Sequence, residues 1–344
     1  MRIEDEIKLT FDDVLIRPKR STLISRSEVH LERSFKFKHT ESTWNGVPII
    51  SANMDTTGTF ETAVSLQKYK MITAIHKFYT IDDWKESISD LDPNSIAVTG
   101  GQSDEDLELA KNIFELNNEI KFLCIDVANG YREDFINAVK KYRDIFNEKI
   151  IIAGNVATRE MTEALILAGA DIVKIGIGPG SVCTTRSVAG VGYPQLSSIS
   201  ECSDAAHGLG GHVMADGGCK FPGDVSKAFG AGADFVMLGG MLAGHKEGGG
   251  NIIEERGIKY IEFYGSSSEE ANDKHYGGLA NYRSSEGKKV RIQMKNSLDS
   301  TIRDILGGVR SSCTYVGASS LKQLSKCTTF VRVNSQYNDT FGKV

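Results

Sequence analysis

The sequence has few cysteines, no long apolar run and no excess of positive charge. Its six cysteines are too few for a disulfide framework in 344 residues, and none belongs to a CxxC pair such as zinc ribbons and thioredoxin-like sites use. No apolar run approaches the roughly 18 residues that a membrane helix needs. The acidic, polar N-terminus does not resemble a secretory signal. We therefore expect a cytoplasmic protein that does not associate with membranes.

Charge narrows the class of partner. Basic and acidic side chains nearly balance, with 40 Lys and Arg against 45 Asp and Glu and a formal net charge of −5. Proteins that bind nucleic acid neutralise its phosphates with a basic patch, and this sequence has no extended basic stripe. Apolar residues make up 40% and charged residues 25%, which is ordinary for a globular protein. We therefore expect a globular protein without a nucleic-acid partner.

Short runs rich in Val, Ile and Leu alternate along the chain with longer amphipathic stretches. The runs lack strict alternation of polar and apolar residues, which is typical of strands that are covered on both faces. Eight runs are candidate strands: Val47–Ala52, Met71–Ile75, Ser95–Thr99, Phe122–Val127, Ile150–Ala153, Asp171–Ile175, His212–Ala215 and Asp234–Leu238. Five stretches are candidate helices: Asp104–Leu116, Arg132–Phe146, Thr158–Ala168, Asp224–Phe229 and Leu298–Leu306. This alternation predicts an α/β protein with a (β/α)8 TIM barrel.

An open doubly wound sheet is the main alternative to the barrel. It predicts a GxGxxG fingerprint after the first strand, where the sequence instead reads SANMDTTG. We therefore prefer the barrel and expect a single catalytic domain over residues 1–344. Its parts are an N-terminal extension (1–46), the barrel (47–244), an active-site flap insertion (245–295) and a C-terminal helix and tail (296–344).

Two segments interrupt the regular alternation. Gly176–Ser200 is a long glycine-rich loop after the sixth strand, and His245–Lys295 is a polar stretch after the eighth. Enzymes with this fold build their sites from loops at the C-terminal ends of the strands, where long loops are usually functional. We therefore expect both segments to contribute to a site.

Glycine pairs follow the seventh and eighth strands, in Asp216-Gly217-Gly218 and Leu238-Gly239-Gly240. Glycine lets backbone N–H groups approach an anion closely. The loops after these two strands are the usual phosphate site of a TIM barrel. The pairs predict phosphate binding, and on this evidence alone the phosphate of a flavin fits as well as that of a nucleotide.

A cysteine lies in the glycine-rich loop, within the sequence GIGPGSVCTTR that ends at Arg186. Such a loop can present carbonyl groups to a cation, and a thiolate is a strong nucleophile when nearby donors lower its pKa. Cys183 is therefore the candidate nucleophile. The other cysteines are interpreted as structural. Cys124 is expected in a strand, and Cys202 and Cys327 are expected in helices.

This loop, followed by GVGYPQ, resembles the catalytic loop of the IMP dehydrogenase/GMP reductase family. The resemblance covers nearly the whole chain. It includes LTFDDVL near the N-terminus, ANMD after the first strand, DVANG, AGNV, DGG, FYG and YVG. Chance does not account for so many matches in order.

The resemblance favours the reductase branch of the family. The dehydrogenases usually carry a regulatory domain that would lie near Asp82–Pro93, where this chain has only a short connection. They also need a flap with an Arg-Tyr pair that activates water, and this sequence contains no Arg-Tyr pair. Instead, Tyr282–Gly287 (YRSSEG) resembles the reductase segment that closes over the substrate.

This branch of the family implies that GMP and NADPH are converted to IMP, ammonia and NADP. Cys183 would add to C2 of the purine and form a covalent thioimidate, and hydride would then expel the thiol. Thr185 and Glu286 match the family's proton-transfer pair, and such general acid–base help is typically worth 10²–10⁴-fold. The resemblance also implies a homotetramer.

The remaining roles are those that the resemblance assigns to matching positions. Substrate contacts are expected from Asp216, Gly217, Gly218, Gly239, Gly240, Gly265, Ser266, Ser267, Arg283, Ser284, Ser285 and Gly287. NADPH contacts, some of them from a neighbouring subunit, are expected from Ser25, Arg26, Lys77, Asp126, Val127, Ala128, Ile177, Gly178, Tyr282, Ser311, Ser312, Cys313 and Thr314. A potassium ion is expected at Gly178, Gly180, Cys183 and Arg186.

The chain departs from the family pattern at two positions. Ser266 and Asn272 stand where the family usually has methionine, which alters packing near the base and phosphate but not the reaction class. Three other hypotheses remain to be tested against the lead. They are an IMP dehydrogenase that lacks its regulatory domain, a non-catalytic nucleotide-binding barrel and a flavin-dependent barrel.

Overall fold

A computed structural model describes residue 1 and residues 3–334. The N-terminal extension contributes strand β1 (Val14–Ile16) and the antiparallel pair β2 (Arg33–Lys36) and β3 (Thr43–Gly46). Phe35 on β2 stacks on Phe235 in the barrel at 4.5 Å, and Trp44 on β3 packs edge-on against Phe122 at 5.8 Å. Aromatic rings therefore close one end of the barrel interior, which leaves the opposite end for a site.

Eight parallel strands form a closed barrel, so the predicted fold is confirmed. Each follows its neighbour in chain order, and the eighth pairs with the first. The strands are β4 (Ile49–Ser51), β5 (Ile72–Ile75), β6 (Ile96–Gly100), β7 (Phe122–Asp126), β8 (Ile150–Val156), β9 (Ile172–Ile175), β10 (His212–Asp216) and β11 (Phe235–Leu238). Every predicted run overlaps one of them, and β6, β8 and β10 extend one to three residues beyond the predicted ends. The interior is filled by apolar side chains of all eight strands together with the aromatic rings of the N-terminal extension.

The helices cover the outside of the barrel and connect its strands. They are α1 (Phe60–Leu66), α2 (Ile81–Ser87), α3 (Asp104–Leu116), α4 (Glu133–Ile145), α5 (Arg159–Leu167), α6 (Thr185–Val188), α7 (Gln195–Gly208), α8 (Pro222–Gly230), α9 (Glu269–Tyr276), α10 (Leu298–Val316) and α11 (Leu321–Cys327). Helix α3 has the predicted bounds because Ser103 caps it and three acidic residues fill its first turn. None of the helices in the described part of the chain is long and apolar enough to cross a membrane.

Helix α10 extends ten residues beyond its predicted end at Leu306. The glycine pair Gly307-Gly308 would ordinarily favour termination. Here a side chain at Gly308 would come within 2.5 Å of Pro222, at the start of α8. The glycine thus permits close contact between two helices, and burial of one face of α10 outweighs the low helix propensity of the pair.

The insertion after β11 is a small folded unit rather than a simple loop. It forms an antiparallel sheet of β12 (Ile252–Glu255), β13 (Ile258–Tyr264) and β14 (Lys289–Gln293), with α9 between the last two strands. Beyond it, β15 (Phe330–Arg332) returns to pair with β1. Exposed and partly buried residues alternate along β14, which is the signature of a strand with one solvated face.

Candidate functional site

The candidate nucleophile lies on the loop between β9 and α6. The Cys183 thiol is partly buried, and its Sγ is 3.3 Å from the hydroxyl of Thr185. That hydroxyl donates to Glu286 Oε2 at 2.7 Å. A thiol, a hydroxyl and a carboxylate from two distant segments therefore form one continuous hydrogen-bonded chain.

Backbone hydrogen bonds hold the two segments together. The Thr184 amide donates to the Glu286 carbonyl at 3.0 Å, and the Lys288 amide donates to the Val182 carbonyl at 2.9 Å. A Cβ at Gly265 would lie only 3.0 Å from the Val182 carbonyl oxygen and 3.1 Å from Gly287 Cα. A glycine at this position therefore lets three segments of the chain pack closely together. The catalytic loop and the insertion thus form one wall of the site.

Beside this wall, glycines from three loops come close together, and we call the place where they meet the glycine pocket. Gly217 and Gly218 have φ values of +89° and +90°, which favour glycine, and Gly217 packs against the backbone of Gly180. A Cβ at Gly240 would lie 2.8 Å from the hydroxyl of Ser181. The predicted glycine pairs are therefore brought together next to the nucleophile loop. Sequence reasoning missed Ser181, whose position in GPGSVC beside the nucleophile was the available signal.

A buried lysine connects two carboxylates at the mouth of the barrel. Lys174 on β9 is only 1% exposed, and its ammonium lies 2.8 Å from Asp126 at the end of β7 and 3.3 Å from Asp216 at the end of β10. Burial opposes its charge, but the two carboxylates outweigh burial and raise the pKa of Lys174. The same ammonium overcomes the burial of Asp126 and holds the pKa of that carboxyl below its usual range.

Two asparagines complete this polar cluster. Asn155 donates to Asp216 Oδ2 at 2.8 Å, and Asn53 donates to Asp126 Oδ2 at 2.8 Å. Sequence reasoning did not single out Lys174, although a lysine inside the apolar run IVKI was a signal: a charge within a covered strand needs a partner. The residues assigned to substrate (Asp216) and to cofactor (Asp126) therefore share one counterion.

The chain is similar to known proteins over its full length. The family model for the IMP dehydrogenase/GMP reductase domain matches residues 8–338. GMP reductases of Enterobacter sp. (strain 638) and of Shigella boydii serotype 4 (strain Sb227) are 58% identical to it, and that of Escherichia coli O139:H28 (strain E24377A / ETEC) is 59% identical. Each match covers all of both chains. The chain belongs to the IMP dehydrogenase/GMP reductase family.

In this family member the insertion carries the other predicted substrate residues. The Glu286 amide donates to the Ser267 carbonyl at 3.1 Å, and the Ser285 hydroxyl donates to the Gly287 carbonyl at 2.9 Å. Arg283, Ser284 and Ser266 are exposed, and so is Tyr282. Asn272, the second departure from the family pattern, is buried and donates to the Ser268 carbonyl, so it stabilises the first turn of α9.

The predicted cofactor residues fall into two groups, apart from Tyr282, which lies on the insertion. One surrounds the barrel mouth and comprises Lys77, Asp126, Val127, Ala128, Ile177 and Gly178. The other lies on the outer helical layer, where the turn Arg26–Glu28 packs against α10, and comprises Ser25, Arg26, Ser311, Ser312, Cys313 and Thr314. Cys313 itself is fully buried in the core, so its thiol faces away from any ligand on the surface.

The residues predicted to bind the cation lie in the turn that carries the nucleophile. Gly178 has a φ of +84°, and the aliphatic part of Arg186 packs against it, while the guanidinium donates to the Tyr193 carbonyl at 2.7 Å. Among the described residues no donor is bonded to the carbonyls of Gly178 and Cys183, whereas the Gly180 carbonyl accepts from the Cys183 amide. Neutral carbonyl oxygens are suitable ligands for a hard cation. No cluster of three or more His, Cys, Asp or Glu side chains that could hold a metal occurs in residues 1 and 3–334.

His76, beside Lys77 in the sequence, is a packed side chain. It is buried, and its ring stacks on Tyr79 with centroids 4.0 Å apart. Burial lowers the pKa of His76 to about 4, so the ring is neutral at physiological pH. Its Nδ1 accepts from the Phe78 amide. His76 is therefore a packed side chain at the end of β5 rather than a candidate base.

Proposed function

We propose that this chain catalyses the reductive deamination of GMP to IMP, with NADPH as the reductant and ammonia as a product. The observation that carries the proposal is the hydrogen-bonded chain of Cys183, Thr185 and Glu286 beside a glycine-lined pocket that fits a phosphate. The full-length similarity to proteins named GMP reductase supports the same substrate.

Cys183 acts on the base while the glycines hold the phosphate. Its sulfur adds to C2 of the guanine ring, and the exocyclic amine leaves as ammonia, which generates a thioimidate on the enzyme. A nucleophile that forms a covalent intermediate divides one difficult displacement into two easier steps. Asp216 accepts hydrogen bonds from the ribose hydroxyls, since its carboxylate lies at the strand end next to the phosphate pocket.

Thr185 and Glu286 supply the proton that the departing amine needs. The Thr185 hydroxyl lies between the sulfur and the carboxylate, at 3.3 Å and 2.7 Å, so it can relay a proton in either direction. When bound, NADPH supplies the hydride that completes the reduction at C2 and releases the thiol. Lys77, whose side chain is partly exposed at the barrel mouth, provides positive charge for a phosphate of the cofactor.

The same proposal includes a potassium ion, a homotetramer and a cytoplasmic location. The open carbonyls of Gly178 and Cys183 support a monovalent cation, with Gly180 and Arg186 completing the turn. The separation of the predicted NADPH residues into a barrel-mouth group and an outer group supports a cofactor site shared between subunits. Residues 1–344 would form one catalytic domain, in which the insertion 245–295 is the active-site flap.

The direct test is turnover by the purified protein. We expect loss of NADPH absorbance that requires GMP and potassium and that releases one ammonia for each NADPH consumed. If the protein instead reduced NAD in the presence of IMP, the dehydrogenase hypothesis would replace this one. Visible flavin absorbance in the purified protein would favour the flavin-dependent barrel.

Changing Glu286 to Gln should lower kcat by about 10²–10³-fold, because the amide can neither take up the thiol proton through Thr185 nor return it to the departing amine. The KM for GMP should change little, since the phosphate pocket is untouched. Steady-state kinetics check this, with Glu254→Gln, an exposed residue of β12, as the matched control. A Glu286→Gln enzyme with the parent kcat would remove the carboxylate from the mechanism.

Removing potassium should lower activity about tenfold or more, because the turn that carries Cys183 loses its ligand. Changing Gly178 to Ala should do the same at any potassium concentration, since the new Cβ would lie 2.7 Å from Arg186 Cγ. Gly190→Ala is the control: it has a similar positive φ of +68° but no neighbour within 4 Å. Equal losses in both variants would show that backbone strain, and not the cation turn, is responsible.

A further inference from the structure

One carboxylate on the barrel accepts three hydrogen bonds from the insertion. Asp55, in the loop after β4, is 9% exposed, and its Oδ2 accepts hydrogen bonds from the Tyr264 hydroxyl at 2.7 Å, from Lys274 at 2.9 Å and from His275 Nε2 at 2.7 Å. All three donors belong to the insertion, and none is adjacent to Asp55 in the sequence. We call these four residues the Asp55 cluster.

Stacking and charge extend the contact to the next barrel loop. The His275 ring lies parallel to that of Phe78, with centroids 3.5 Å apart and an interplanar angle of 4°. The ammonium of Lys77 is 5.8 Å from the centre of the Tyr276 ring, within the range of a cation–π contact, and it also pairs with Asp106 at 3.4 Å. The C-terminal end of α9 therefore covers the residue that provides positive charge at the barrel mouth.

The other end of α9 reaches the proton-transfer pair. Ser268, the N-cap of the helix, is bridged to Gly287, and the neighbouring Ser267 carbonyl accepts from the Glu286 amide. Helix α9 is thus a short strut of eight residues between Glu286 and Lys77. A shift of α9 relative to the barrel would therefore move Glu286 and change the contact between Tyr276 and Lys77.

The start of the insertion also packs against the segment that follows β4, but through backbone groups and hydroxyls rather than through ion pairs. Gly249 approaches the Asp55 carbonyl so closely that a Cβ would lie 2.0 Å away, and the Glu247 carbonyl accepts from the hydroxyls of Thr59 and Thr62. These contacts fix the base of the insertion. Further along the insertion, the Asp55 cluster and the stack of His275 on Phe78 connect α9 to the barrel.

The carboxyl of Asp55 is ionised in this setting. Burial favours its neutral form, but the hydrogen bonds from Tyr264, His275 and Lys274 outweigh burial and hold the pKa of Asp55 below its usual range. Hydrogen bonds to a charged acceptor are roughly twice as strong as neutral ones, so the loss of this charge weakens all three contacts together.

We propose that Asp55 is a positioning residue that fixes the insertion on the barrel, so that Lys77 meets the cofactor and Glu286 meets Thr185. The proposal rests on the function proposed above and adds a residue to which that function assigned no role. Asp55 lies outside the phosphate pocket and does not contact Cys183, so it acts through the residues it holds.

Asp55→Asn is the test, since the amide keeps the shape of the carboxylate and loses its charge. We expect hydrogen exchange of the segment 269–288 to quicken about tenfold, because its opening no longer breaks charged hydrogen bonds. The KM for NADPH should rise about tenfold. The KM for GMP should rise less, by no more than about threefold, because the insertion carries only part of the predicted GMP site and the glycines after β10 and β11 lie on the barrel itself.

The matched control is Asp234→Asn at the opposite end of the barrel. Asp234 is also buried, and it accepts from His207 Nε2 at 2.7 Å and from Arg33 at 3.1 Å. This variant should unfold at a lower temperature but keep the parent KM values and the parent exchange of 269–288. A merely structural role for Asp55 would make the two variants alike.

Two outcomes overturn the proposal. One is parent-like exchange and parent-like KM for NADPH in Asp55→Asn. If Asp55→Asn does not fold, His275→Phe decides, since it keeps a ring on Phe78 and removes one donor: unchanged exchange and unchanged KM would overturn the proposal, and a rise in both would support it. If the parent protein does not reduce GMP, the proposed function fails, and the exchange measurement still decides whether Asp55 holds the insertion.

Discussion

Replacing Cys183 with alanine is expected to abolish GMP reduction while the variant still binds GMP. The sulfur contributes to the Cys183–Thr185–Glu286 chain but not to the glycine pocket, so its removal eliminates the covalent route and leaves the phosphate contacts in place. We expect kcat to fall on the order of 10⁴-fold or more, as for the loss of a nucleophile in other enzymes that use covalent catalysis. Stopped-flow loss of NADPH absorbance and equilibrium GMP binding measure the two effects separately.

The other cysteines provide the control. Cys202 is buried on α7, and burial raises the pKa of its thiol to about 11, while burial raises that of Cys124 to about 12. A thiol-modifying reagent should therefore inactivate the protein through Cys183, and saturating GMP should protect it. Cys202→Ala should keep the parent kcat. GMP reduction at a normal rate by Cys183→Ala would exclude covalent catalysis by this residue.

The fold was predictable because the barrel strands leave a local signal. Every strand of the barrel overlaps a predicted apolar run that is buried on both faces, and such a run can be recognised from the sequence without knowledge of its neighbours. The predictions for Cys124, Cys202 and Cys327 are confirmed for the same reason, since each lies in a strand or helix whose pattern is local.

The candidate site was predictable in part. Its glycine pairs and nucleophile lie in motifs, whereas the contacts that connect them join residues far apart in the chain. Thr185 and Glu286 are separated by 101 positions, and Asp55 and Tyr264 by 209. Periodicity does not reveal such pairs, because they depend on how the insertion folds back onto the barrel. The resemblance supplied Thr185 and Glu286, and nothing local supplied the role of Asp55.

Lys174 is a second example of a role that depends on contacts between distant parts of the chain. Its strand was predicted, but the lysine was read as one member of an apolar run rather than as a counterion. Only the closed barrel brings the ends of β7, β9 and β10 together, and only then do Asp126 and Asp216 face one ammonium. A lysine that is 1% exposed is retained only where partners compensate for its burial.

Changing Lys174 to Met is therefore expected to lower both stability and activity. Methionine matches the volume of the lysine stem but leaves Asp126 and Asp216 without their shared cation, and loss of one partner of a buried ion pair typically costs about 3–5 kcal/mol. Urea unfolding measures this loss. Lys174→Arg keeps the charge and is the control; it should lose less, since only the shape of the cation changes.

The loss should depend on pH in a defined direction. In the parent protein the ammonium holds the pKa of Asp126 below its usual range, so its stabilising contribution is present above the pKa of an unfolded aspartate, about 4, and is lost as the pH falls through the lower folded value. In Lys174→Met we expect burial instead to raise the pKa of Asp126. The difference in unfolding free energy between parent and variant should thus be largest near neutral pH and should shrink as the carboxylates protonate.

Lys174→Met should also lower activity, because it should weaken the binding of both GMP and NADPH. Asp216 is assigned to the ribose of GMP and Asp126 to the cofactor, and the variant frees both carboxylates from one fixed counterion. We expect the KM for GMP and the KM for NADPH to rise by similar factors, which distinguishes this variant from Asp55→Asn, where the KM for NADPH should rise more than the KM for GMP. A rise in one KM alone, or a variant as stable as the parent at neutral pH, would mean that the two carboxylates are held independently of Lys174.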